Sequence, residues 1–119
     1  MILEYDFEND SIEYKFNEDT LIEEFQEYID STYSGHYSKD KFQATEFIID
    51  SGHGTGFCIG NVLKYAQRYG KKGSHEDARK DLMKVLHYAL IQLYVHDSES
   101  FEINLDEIRA SSLETDTDI

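Results

Sequence analysis

The chain has no proline, no tryptophan, one cysteine, and only eleven basic residues against twenty-five acidic ones. A lone cysteine, Cys58, cannot close an internal disulfide, which excludes a disulfide-stapled scaffold and fits a reducing, cytoplasmic setting. No apolar run approaches the roughly 20 residues that span a bilayer, so no membrane partner is expected. The first ten residues carry four acids and no base, so no secretory leader is expected either. The shortage of bases leaves a net charge of −14. A general nucleic-acid binder is excluded on that ground, because contacts to a phosphate backbone need a positive surface. The missing proline and tryptophan carry no functional message.

What is present is unevenly placed. Residues 1–30 hold eleven acids and one lysine, and residues 97–119 hold eight acids and one arginine. Residues 31–96 hold nine bases against six acids, a net of +3, so a cationic patch sits inside an acidic protein. At 119 residues the chain is expected to form one domain over 1–110. Residues 111–119 are acidic, poor in apolar side chains, and expected to form a disordered tail.

Period-two alternation at Leu3, Tyr5 and Phe7, then at Ile12, Tyr14 and Phe16 after a turn at Asn9-Asp10, predicts a β-hairpin. Thr20 and Glu23 form a capping-box pair before Leu21, Ile22, Phe25, Tyr28 and Ile29, which predicts a first helix ending near Tyr33 to Gly35. A second, shorter helix is expected over about 39–50. A third follows the glycine-rich loop 51–56, with apolar positions Ile59, Val62, Leu63, Ala66 and Tyr69, and Gly70 suits its C-terminal end. Ser74 with Asp77 caps a fourth helix, whose apolar series runs Ala78, Leu82, Val85, Leu86, Ala89, Leu90 and Leu93. Phe101, Ile103 and Leu105 alternate again, as a third strand beside the hairpin would. The expected class is therefore α+β: about four helices as the core, with a small antiparallel sheet from the two ends.

Gly60-Asn61, Lys64-Tyr65, Arg68 and Gly70-Lys71-Lys72 fall at fixed offsets, followed by Asp81-Leu82, Lys84 and His87-Tyr88. Over about residues 42–95 this pattern resembles a small phage protein family of unknown function, some of whose members are described as nucleotide kinases. The resemblance implies a nucleotide ligand and, if the protein is catalytic, phosphoryl transfer to a nucleoside monophosphate. It implies a magnesium ion only in that case.

Each candidate residue has a plain alternative beside the functional one. Backbone N–H groups of Gly54 and Gly56 at a helix start suit phosphate, but the lysine and hydroxyl residue of a P-loop are missing. The alternative is a flexible connector, with Gly60 allowing close helix packing. Lys64, Arg68 and Lys71 fall at steps of four and three on one helical face. Together with Lys72, Arg79, Lys80 and Lys84 they either grip an anion or pair with the chain's own acids. Asn61 either reads a base or sugar edge or satisfies backbone groups. Asp81, Lys84 and Tyr88 share a face, and Asp81 either holds magnesium or pairs with the third helix. Glu24 and Glu27 resemble the carboxylate spacing of all-helical nucleoside triphosphate pyrophosphatases. That class needs a second pair, and Glu46 and Asp50 are one residue too far apart. The five histidines and Cys58 show no metal-ligand spacing, and Cys58 reads as a buried small residue.

The expectation is thus a cytoplasmic, phage-type protein binding a nucleotide or another phosphate-bearing small molecule. Lys64, Arg68 and Asp81 are the catalytic candidates. Gly54, Gly56, Asn61, Lys64, Arg68, Lys71, Lys72 and Lys84 are the ligand candidates. The alternative is a non-enzymatic protein that sequesters a nucleotide signal or engages a host protein through its acidic surface. The broad apolar stripes of the third and fourth helices point to a homo-oligomer, most simply a dimer.

Overall fold

The computed structural model describes residues 12–35 and 38–113, with side chains through residue 99. The chain divides into two units, Met1–Gly35 and His36–Ile119.

In the first unit, residues 12–17 turn into helix α1, Glu18–Tyr33. Asn17 takes a left-handed conformation with φ 62° and makes no side-chain cap. Its carbonyl accepts from Leu21 N–H at 3.0 Å, and the Glu18 carboxylate accepts from Phe16 N–H at 3.1 Å. The helix therefore starts ahead of the Thr20–Glu23 pair, with Glu18 and Asp19 placed favourably at its positive end. Phe25 and Tyr28 stack at 6.4 Å on the apolar face. The helix stops where Ser31, Thr32 and Ser34 turn their hydroxyls onto carbonyls three residues back.

The second unit contains α2 (Ser38–Ile48), a wider π-type turn (Ile49–His53), α3 (Gly54–Arg68) and α4 (His75–Leu113). Gly52, at φ 89°, is non-helical and breaks the helix here, so α2 and α3 are joined by a tight kink rather than by an open loop. α3 and α4 run antiparallel. Gly54 lies against Val95, Phe57 and Tyr65 against Tyr88, and Arg68 against Asp81. Cys58, Ala78 and Val95 are the buried apolar side chains among the described residues. Gly70 and Gly73, at φ 76° and 84°, let a short connection reverse the chain after Arg68.

The α+β expectation is overturned, since the described residues are helical and contain no strand. Ile12, Tyr14 and Phe16 are exposed, with Lys15 and Phe16 forming a turn into α1. Leu3, Tyr5, Phe7 and the Asn9-Asp10 turn lie outside the described residues. Phe101, Ile103 and Leu105 belong to α4, which also takes in residues 111–113 of the expected tail. The physical reason is that nothing between Ser74 and Leu113 stops a helix, because the segment holds neither glycine nor proline. Phe101, Leu105 and Ile108 also satisfy helical spacing, so the period-two reading had a competitor. Residues 114–119 lie outside the described residues.

Candidate functional site

The C-terminal turn of α3 and the first turns of α4 enclose an open cleft of about 310 Å³. Its walls are Arg68, Lys72, Gly73, Asp77, Lys80, Asp81 and Lys84. Local structure commits both of its carboxylates. Ser74 and Asp77 form a reciprocal cap: Ser74 N–H donates to Asp77 Oδ2 at 3.0 Å, and Asp77 N–H donates to Ser74 Oγ at 3.1 Å. The Ser74 N–H and, at 3.2 Å, the Ser74 hydroxyl both donate to Asp77 Oδ2 and hold its carboxyl below the ordinary pKa. Gly73 is required beside it, since a Cβ there would stand 2.5 Å from Asp77 Oδ2.

Asp81 is committed to α3. Arg68 Nη2 donates to Oδ1 at 2.6 Å, and Arg68 Nε donates to both carboxylate oxygens at 3.2 Å. The Asp81 side chain is 2% exposed and that of Arg68 is 44% exposed. The pair is therefore lopsided: a buried anion orients a guanidinium whose outer edge stays open. The hydrogen bond from Arg68 lowers the Asp81 pKa against the opposing effect of burial, and the same bond raises that of Arg68. The ion-pair alternative for Asp81 is thus the geometry observed.

Above this pair stands Tyr65. Lys64 Nζ, Arg68 Cζ and Lys84 Nζ lie 5.0, 5.2 and 5.6 Å from its ring centroid. These are cation–π distances, and they crowd three positive charges around one ring. Tyr65 stacks on Tyr88 at 6.1 Å and 7°, and Phe57 meets Tyr88 edge-on at 5.8 Å. Lys72 and Lys80 make no ion pair with a described residue within 4 Å.

Of the sequence candidates, the fold brings together Arg68, Lys72, Asp81 and Lys84 in the cleft, with Lys64 beside it at Tyr65. It does not bring in Gly54 and Gly56, which lie about 21 and 18 Å away along α3, given a rise of 1.5 Å per residue. Asn61 turns its amide back onto Phe57 O at 2.9 Å. Lys71 lies beyond the end of α3, its N–H bonded to Arg68 O, so it leaves the face it was expected to share with Lys64 and Arg68. Gly60 meets nothing within 4 Å and permits no close helix contact. Lys80 and Tyr65 are the site residues that the ligand candidates lacked. The signal for Lys80 was its i, i+4 relation to Lys84. For Tyr65 it was an aromatic ring flanked by Lys64 and, one turn on, Arg68.

Among the described residues, no three His, Cys, Asp or Glu side chains gather as a metal site. Cys58 is buried, which raises its thiol pKa. Glu24 and Glu27 lie in the first unit, and Asp50 falls in the π-type turn. No described helix is long and apolar enough to cross a membrane.

His87, nearly buried beneath the cationic cluster, is held below its ordinary pKa of 6.5 by burial first, then by Lys41 and Lys84. The unfolded chain therefore takes up a proton near pH 6.5, where the folded chain does not. Stability from this group is complete above that pH and falls as the pH drops toward the folded value. The decline in melting temperature between pH 7 and pH 5 is expected to be shallower in His87→Gln than in the parent. Parallel slopes in thermal melts would remove His87 from the account.

Residues 31–89 match the DUF3310 family, whose description is a protein of unknown function. The matched stretch includes every wall residue of the cleft. No curated protein and no solved structure matches the chain.

Proposed function

We propose that the second unit binds a phosphate-bearing small molecule, a nucleotide by class, in the cleft between α3 and α4. One observation carries this reading. Lys72, Lys80, Lys84 and the open edge of Arg68 converge on a cleft whose two carboxylates are already engaged. The cleft therefore has a positive surplus that an anion relieves. Arg68 is pre-aimed by Asp81, which lessens the ordering that binding requires. Lysine and arginine in this arrangement suit phosphate oxygens. Asp81 acts as a positioning residue here.

The resemblance to phage proteins that include nucleotide kinases supports a nucleotide over inorganic phosphate and gives the protein a phage-type setting. Phosphoryl transfer calls for a carboxylate free to hold magnesium. Both Asp81 oxygens accept from Arg68, so the reading stops at binding.

The test is isothermal titration of nucleoside mono- and triphosphates and of inorganic phosphate into the parent and a Lys72→Ala/Lys80→Ala variant. Both lysines stand outside the Arg68–Asp81 and Ser74–Asp77 bonds, so the melting temperature is expected to hold. Loss of two charge-assisted contacts is expected to weaken nucleotide binding at least tenfold. Unchanged affinity in the folded variant, or no binding by the parent, would overturn the assignment.

A further inference from the structure

The cations at this end of the hairpin fall into two groups, and the cleft accounts for only one of them. Lys72 and Lys80 line the cleft. Lys64 lies outside its walls, at the rim of Tyr65, with its Nζ 5.0 Å from the ring centre. Arg68 and Lys84 belong to both groups. They line the cleft, and they stand 5.2 and 5.6 Å from the same ring centre. The two groups therefore adjoin. Lys64 to Arg68 along α3, and Lys80 to Lys84 along α4, are each one step of four residues, about 6 Å.

The rim of Tyr65 suits a charge better than a nucleobase. Tyr88 already stacks on the ring at 6.1 Å and 7°, and three cations crowd the space around it. A ring so covered offers a base little face. Its quadrupole attracts each cation but brings no net charge to cancel them. Asp81 offsets Arg68. Lys64 and Lys84 make no ion pair with a described residue within 4 Å, so they repel each other until an anion joins them.

Across both groups Lys64, Arg68, Lys72, Lys80 and Lys84 stand against the carboxylates of Asp77 and Asp81, a surplus of three positive charges. One phosphate monoester brings about −1.5 to −2 at neutral pH. A single such group leaves part of the surplus unmet, and a second closes it.

We infer, on the strength of the phosphate reading of the cleft, that Lys64 and Lys84 form a second anion position at the rim of Tyr65, and that the ligand is a nucleotide with at least two phosphate groups. One phosphate lies in the cleft against Lys72 and Lys80. The other lies at the rim against Lys64 and Lys84, with the open edge of Arg68 between the two.

Isothermal titration separates the two positions. Inorganic phosphate is compared with pyrophosphate, and the 5′-monophosphates of adenosine, guanosine, cytidine and thymidine with their 5′-diphosphates and 3′,5′-bisphosphates. The last two series tell adjacent phosphates from separated ones. A second phosphate is expected to tighten binding by the parent roughly tenfold or more, as a charge-assisted contact does. Lys64→Ala is expected to remove most of that gain and to leave affinity for the monophosphates nearly unchanged. Lys71→Ala removes one charge beyond the end of α3 and is expected to keep the gain, which separates a placed contact from a general loss of positive field. Both lysines are exposed, so the melting temperature is expected to hold in each variant. No gain from a second phosphate, a gain that survives Lys64→Ala, or an equal loss in Lys71→Ala would each overturn the inference and leave the cleft as a phosphate site. A parent that binds none of these compounds would overturn both.

Discussion

Arg68→Ala is expected to lower the melting temperature by roughly ten degrees or more, and to do so less as the pH falls. The effect follows from the lopsidedness of the pair. Asp81 is buried on α4, and Arg68 supplies the three bonds that offset its removal from water. Without Arg68, a charged carboxylate remains buried with only the more distant charge of Lys84 in its favour. In the parent, the lowered Asp81 pKa gives a stabilisation that is present above the unfolded value near 3.8 and lost below it. In Arg68→Ala, burial acts unopposed by the guanidinium, so the folded state takes up a proton more readily than the unfolded chain. The gap between the two proteins is therefore expected to shrink between pH 7 and pH 4. Replacing both residues, as Arg68→Met/Asp81→Leu, is expected to recover much of the loss, because no orphaned charge is left. A gap that stays constant with pH would refute the role given to the buried carboxylate.

Gly54→Val is expected to cost about 1–3 kcal/mol, the usual penalty for overpacking a tight core contact. At this residue α3 packs tightly against α4: a Cβ alone would stand 3.2 Å from Ile49 Cγ1 and from both methyl carbons of Val95. The two further methyls of valine have nowhere to go unless the helices separate at that end. Separation would also strain the bonds of Thr55 with Glu99 and of Gln92 with Thr55. Gly60→Ala, six residues further along the same helix, is expected to change stability in the opposite direction by about 1 kcal/mol, since its Cβ meets open space and glycine is a poor helix former. Chemical denaturation of the two variants measures both signs. A Gly54→Val protein as stable as the parent would place the close crossing elsewhere.

The helices were legible where apolar spacing and a capping residue agreed. Ser74 with Asp77 marked the start of α4, and Gly70 marked the reversal after α3. The strands failed for a reason visible in the residues themselves. Phe101, Ile103 and Leu105 satisfy a period of two, but so do Phe101, Leu105 and Ile108 a helical one, and no breaker intervenes. At the site, the cationic stretch was visible as a charge reversal in an acidic chain. What a linear reading lacked was the partner across the hairpin. For Asp81 the ion pair with the third helix was the favoured reading over a metal ligand, since one carboxylate makes a weak metal site, but its partner Arg68 could be named only once α3 and α4 were set antiparallel. Lys71 looked like part of a face because the reading carried α3 past Arg68. Close helix packing was assigned to Gly60 and a loop role to Gly54, and the position of Val95 reverses the two: the tight contact is at Gly54 and open surface at Gly60.

The connection between Arg68 and His75 is short, and Gly70 and Gly73 already favour the backbone angles that it needs. Most pairings of α3 with α4 are therefore reached by closing one small loop and zipping outward from it. Such a topology has a low contact order, the regime in which helical proteins fold in microseconds to milliseconds. Arg68 and Asp81 sit nearest that loop and are expected to meet first, while Gly54 and Val95 sit farther out and are expected to meet later. The charged cleft is thus expected to form early in the assembly of the hairpin, with the tight glycine crossing closing after it.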